Sequence, residues 1–217
     1  MTRETDLRTE LIESVAALCT EGLLDWTGGA LSLRYQQHSM LITPSGSARA
    51  LWRIQESDLL VVNLDNHHRQ PNQPASLAMH ALIYNNVPEI HAIFHSHAGA
   101  MYTASCIAKG ELGVLPPTVK MGSVPVIGEG GVRGVNCSEG NQGAEALRDS
   151  SAAAVRCQLP LWLNRDNWPW FAFLDREHGV FVMAKTSMAA LVGLAKLESG
   201  ARLWLEERRI SSASLSI

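Results

Sequence analysis

Apolar positions fall into short blocks whose period changes along the chain. From about residue 4 to 22, Leu7, Leu11, Ile12, Val15, Ala16, Leu18 and Cys19 recur at helical spacing, and Gly22 closes the run. TGGALSLRY (27–35) opens on a glycine pair and turns strand-like. SMLITPSG (39–46) reads as a short strand ending in a turn punctuated by Pro44 and Gly46. DLLVVNLD (58–65) is a β-branched strand closed by a polar stretch. A helix over 75–86, a strand over 90–97 and a helix over 98–110 follow. Residues 116–134 read as loop and short strand, and 141–157 as helix. WPWFAFL (168–174) and HGVFVMA (178–184) are buried strands around a turn. A last helix spans about 187–207, and the tail SSASLSI reads as frayed. This order predicts a mixed α/β layered domain without regular βαβ alternation.

Composition agrees with a folded chain. Of 217 residues, 46% are apolar and 18% charged, enough to bury a sizeable core in one domain, 1–217. The net charge of −3 and the lack of any Lys/Arg run give no footprint for nucleic acid or a charged membrane surface. No apolar run reaches the length of a membrane span, and the charged start MTRETDLRTE is unlike a signal peptide. A cytoplasmic protein is expected. Cys19, Cys106, Cys137 and Cys157 form no CxxC pair and are expected to be free thiols, mostly buried.

The chemistry concentrates in HAIFHSHAGA (91–100). His95 and His97 lie two apart on a predicted strand, so both imidazoles project from one face, roughly 6–7 Å apart at Cα. Two neutral imidazoles so placed can share a metal ion. In isolation the pair reads first as a polar strand end at a surface. In DREHGVFVMA (175–184), His178 stands at a strand mouth beside Gly179, where it offers a third ligand or serves as an ordinary turn histidine. TGGALS and TPSG supply hydroxyls and glycine amides of the kind that form anion-binding turns.

Taken in order, these pieces resemble the class II aldolase/adducin family. The resemblance rests on TGGALSLR (27–34), LITPSG (41–46), DLLVVNLD (58–65), MHALIYNNVPEIHAIFHSH (79–97) and EHGVFVM (177–183), and runs over a core of about 7–207. It implies a three-layer α/β/α domain with a central, mostly antiparallel sheet. It implies a divalent ion, zinc first and iron(II) second, on His95, His97 and His178. It implies Gly28, Gly29, Ser32, Thr43, Ser45 and Gly46 near a small hydroxycarbonyl substrate, and a homotetramer with sites at subunit interfaces.

The chain also departs from the family's pattern. Ser76, or Leu77 after a one-residue gap, stands where the family carries an acid, and a serine alone cannot act as a base near neutral pH. Pro74 and Ala75 replace two phosphate-gripping hydroxyls, and Ala30 replaces an asparagine. The tail lacks the tyrosine that aldolases donate across an interface. Ser76 and Glu177, with Asp175 beside it, are the candidate proton-moving groups, while Lys120 and Glu129 lie in a loop near where the family places substrate. Trp162, Trp168 and Trp170 either line an apolar pocket or pack the core or an interface. His80 and His91 read as structural, and His67 and His68 as exposed turn residues. The expected activity is a metal-dependent lyase acting next to a carbonyl, on a substrate that need not be phosphorylated. An iron-dependent oxygenase or decarboxylase, and a non-catalytic adducin-like module, are the alternatives.

Overall fold

The computed structural model describes residues 3–24, 26, 28–45, 52–65, 72–97, 99–108, 111–112, 124–127, 155, 169–176 and 179–214. Helix α1 (Arg3–Thr20) leads into β1 (Gly29–Gln36) and β2 (Ser39–Ile42), joined by a tight turn. A 3-10 turn at Glu56–Asp58 precedes β3 (Leu60–Asn63). Then come α2 (Leu77–Asn86), β4 (Ala92–Ser96), α3 (Gly99–Ile107), β5 (Glu111–Leu112) and β6 (Val124–Ile127). The chain closes with β7 (Trp170–Asp175), β8 (Gly179–Ala184) and α4 (Ser187–Ser214).

The strands form one eight-stranded sheet in the order β3-β2-β1-β4-β8-β7-β6-β5. Every described pairing is antiparallel except β6 with β7. Two apolar layers cover it. On one face Leu31, Phe94 and Val182 pack against Leu11 and Leu18 of α1, Met101 of α3 and Leu194 of α4. On the other, Ala30, Ile93 and Phe181 pack against Leu77, Ile83 and Tyr84 of α2. This is the three-layer arrangement with a mostly antiparallel sheet that the family resemblance implies. Because β4 and β8 are buried on both faces, β8 reads as a continuous apolar run rather than an alternating one, and β4 does so up to His95.

Several expectations change. The last helix extends to Ser214, so residues 211–214 of the tail are helical rather than frayed. Cys106 is exposed, against the expectation of buried thiols, because it lies on the outer side of α3, and Cys19 is half-buried. Trp170 is a core residue. It is 5% exposed, and a Cβ added to Gly193 of α4 would stand 2.7 Å from its ring. The two-residue strand β5 carries no sequence signal of its own and exists through pairing with β6. The predicted helix over 141–157 falls outside the described residues except at Val155, which is helical and buried against the α2 layer. Trp162, Trp168, His67, His68, Cys137, Cys157, Lys120 and Glu129 also lie outside them. No helix among the described residues is long and apolar enough to cross a membrane.

Candidate metal centre

β4 lies between β1 and β8, with Ala30 and Phe181 as the cross-strand partners of His95. Side chains alternate along a strand. Ile93 faces the α2 layer, so His95 does too, and His97 follows just past the strand end. The two rings converge until their Nε2 atoms are 3.2 Å apart. His95 is 4% exposed and His97 is half-buried.

Each ring is held by neighbours. Nδ1 of His95 lies 3.1 Å from the Val180 carbonyl oxygen. A carbonyl only accepts, so Nδ1 carries the proton and the lone pair of the neutral ring sits on Nε2, facing His97. Phe181 stacks flat on His95, with centroids 4.1 Å apart and planes 11° from parallel, and Phe173 stacks on Phe181 in turn. The His97 ring lies nearly parallel to Tyr102 of α3, at 6.1 Å and 16°.

Two glycines leave room for His97. A Cβ on Gly28 would overlap its ring, and a Cβ on Gly179 would meet both that ring and the Ser96 carbonyl oxygen. Gly179 also has φ +86°, a conformation that other residues adopt only under strain. His178 lies outside the described residues, as does Glu177. The chain at Gly179, the next residue, is nonetheless packed against His97. Among the described residues, no three His, Cys, Asp or Glu side chains gather in a metal-binding group.

The nitrogen pair fits a metal. Zinc–imidazole bonds of about 2.0–2.1 Å at a tetrahedral angle place two ligand nitrogens about 3.3 Å apart. Nitrogens facing each other at 3.2 Å need a proton or a cation between them. The proton fixed on Nδ1 by a backbone carbonyl is the outer-shell arrangement usual for metal-ligating histidines.

The other candidates occupy different places. The buried Ser32 hydroxyl is 2.7 Å from Nδ1 of His80 and 3.0 Å from the Tyr84 hydroxyl, in a cluster beneath the sheet. Burial alone pushes the His80 pKa down to about 3, so His80 is neutral. It meets Phe181 edge-on at 5.9 Å. The buried Thr43 hydroxyl accepts the Leu31 amide at 3.0 Å and extends the β1–β2 pairing. Ser45 donates to the Gln73 carbonyl at 2.9 Å, tying the TPSG turn to the segment before α2, while Gly46 lies outside the described residues. Gly29 has φ +131° and lets β1 approach the backbone of His95. Ser76 stands at the N-cap of α2, 7% exposed, and makes no side-chain cap bond. His91 precedes β4 and lies 3.9 Å from Glu10 of α1, away from the imidazole pair. The carboxylate of Asp175 is buried at the end of β7. Phe181 and Tyr102, which orient the two imidazoles, carry no local sequence signal. Strand register brings in the first and helix placement the second.

Comparison with known proteins agrees with this architecture. The chain is 27% identical over 210 residues to the 3-oxo-tetronate 4-phosphate decarboxylase of Pectobacterium atrosepticum, covering 94% of this chain and 85% of that protein. It is 29% identical over 118 residues to the methylthioribulose-1-phosphate dehydratase of Microcystis aeruginosa, covering 52% of this chain and 57% of that protein. The chain thus spans little more than half the length of that dehydratase. The crystal structure of YgbL from Klebsiella pneumoniae superposes with a TM-score of 0.70 at 27% identity, covering 94% of this chain and 89% of that one. L-fuculose-1-phosphate aldolase from Thermus thermophilus shares the fold, with a TM-score of 0.70 at 21% identity over 96% of this chain and 98% of that one. The model of the class II aldolase and adducin N-terminal domain matches residues 9–205, and with that span the chain belongs to the class II aldolase/adducin family.

Proposed function

We propose that this chain is a divalent-metal-dependent lyase that breaks a bond next to the carbonyl of a small hydroxycarbonyl substrate. The observation that carries the reading is the His95–His97 pair, with Nε2 atoms 3.2 Å apart and the His95 tautomer set by the Val180 carbonyl. His178 is proposed as the third ligand, since Gly179 brings the chain beside His97. Zinc is the proposed ion and iron(II) the alternative. When bound, such an ion polarises a carbonyl oxygen and stabilises the negative charge that bond cleavage leaves on it.

The chain's own residues do the rest. His95 keeps a lone pair directed into the site by donating its Nδ1 proton backward. Phe181 shields one face of that ring from water. Gly28 admits the His97 ring, and Ser45 and Gly46 remain the proposed contacts for a polar end of the substrate. Ser76 and Glu177 are the proposed proton-moving groups. The relatives named as a decarboxylase and a dehydratase support lyase chemistry, and both names specify phosphorylated substrates. A homotetramer is proposed with the family. The exposed apolar side chains Met188, Val192, Leu203 and Ile210 of α4 offer surface for subunit contact.

Elemental analysis of purified protein, with and without His95→Ala, His97→Ala and His178→Ala, tests the assignment. About one ion per chain is expected in the parent and little in the variants. Chelator should abolish turnover of a β-keto acid or hydroxycarbonyl panel. A metal-free parent, or a triple variant that keeps its metal, overturns the reading. Iron with dioxygen consumption would shift it to the oxygenase alternative.

A further inference from the structure

Helix α3 begins two residues after His97, and its first turn is held by a side chain from the end of the chain. Glu198 of α4 is 4% exposed. Its Oε1 accepts the Ala100 amide at 3.1 Å and its Oε2 accepts the Met101 amide at 2.9 Å. Nε of Arg202, one turn further along α4, donates to Oε1 at 3.1 Å. The first amides of a helix have no partner within it, and a carboxylate there also answers the positive end of the helix dipole. A buried carboxylate engaging two adjacent amides is a directional clamp.

The residue after the clamped pair is Tyr102, whose ring lies against His97. Besides the His95 ring, His97 also lies close to the backbone at Gly28 and Gly179. These backbone neighbours belong to the sheet and its entering loop, whereas Tyr102 rides on α3. We infer that Glu198 is a positioning residue for the metal centre. By clamping the start of α3 it holds Tyr102 against His97, which keeps Nε2 of His97 aimed at Nε2 of His95. The inference rests on the metal-binding reading above.

Cobalt(II) is the probe, because its visible spectrum reports ligand geometry. Its affinity, measured by competition with a chromophoric chelator, and the spectrum of the loaded protein are compared for the parent, Glu198→Ala, Glu198→Gln and Tyr102→Leu. Glu198→Ala and Tyr102→Leu are expected to bind cobalt about 10–100-fold more weakly, with altered visible bands. Glu198→Gln keeps an accepting oxygen and should restore part of the affinity. The double variant should lose no more than the worse single one, because both act through the same contact. A merely structural cap would lower the melting temperature and leave affinity and spectrum at parent values, and that result overturns the inference. If Glu198→Ala does not fold, Tyr102→Leu decides, since its side chain is partly exposed. A parent that takes up no cobalt overturns the metal reading itself. Variants that match a cobalt-binding parent overturn only the role of Glu198.

Discussion

His80 is a fully buried imidazole with one nitrogen on the Ser32 hydroxyl and, among the described residues, no hydrogen-bond partner for Nε2. Its pKa falls from 6.5 to about 3 in the fold, so the unfolded chain takes up a proton there first as pH drops. Its contribution to stability is thus full above about pH 6.5 and declines toward pH 3, at about 1.4 kcal/mol per unit. His80→Gln keeps a polar contact without titrating. Urea unfolding at pH 7, 6, 5 and 4 should show the gap between parent and variant closing as pH falls, whereas a constant gap would contradict the assignment. At this scale the sequence was partly legible. The alternation of His95 and His97 is a local property and could be read from spacing. The reason Ser32 lies buried under the sheet is His80, 48 residues away, and no local pattern encodes that pairing.

The elements were legible where their own residues decide them. The apolar block of β4 and the helical periodicity of α1 fixed those elements, but β5 is a strand only because β6 pairs with it. The polar end of α4 stays helical past its apolar stripe, helped by the Arg209–Glu206 contact between successive turns. Arg34 ties two elements together. From β1, its guanidinium donates to the Tyr84 and Val87 carbonyls at the end of α2, at 2.7 and 3.0 Å, and to the Ile90 carbonyl at 2.9 Å. It also lies over the Tyr84 ring, 4.7 Å from its centroid. These are late-helix and loop carbonyls with few other partners. Arg34→Ala is expected to cost about 1.5–3 kcal/mol. The loss should appear in chemical denaturation, with faster amide exchange confined to the last turn of α2 and residues 87–91. Parent-like exchange there would mean that the helix end is held by other contacts.

Across the whole molecule, the family pattern conveyed the layers and the mostly antiparallel sheet, because TGGALSLR, HAIFHSH and HGVFVM are the segments that become the neighbouring strands β1, β4 and β8. The Phe181 stack was not legible, since it depends on the β4–β8 register. If the imidazole pair holds an ion in the folded state only, metal at a hundredfold excess over its dissociation constant should add about 2.7 kcal/mol to stability. For a chain of this size that corresponds to about 5–10 °C in melting temperature. Scanning calorimetry with zinc and with chelator checks this, and superimposable melts would remove the imidazole pair as an ion site.

The position of β4 in mid-sheet has one more consequence. With four strands on its far side and three on its near side, the segment carrying both imidazoles is among the last to open when the protein breathes. A stripped protein should keep the two rings poised, so that swapping one ion for another is a matter of diffusion and ligand exchange rather than of refolding.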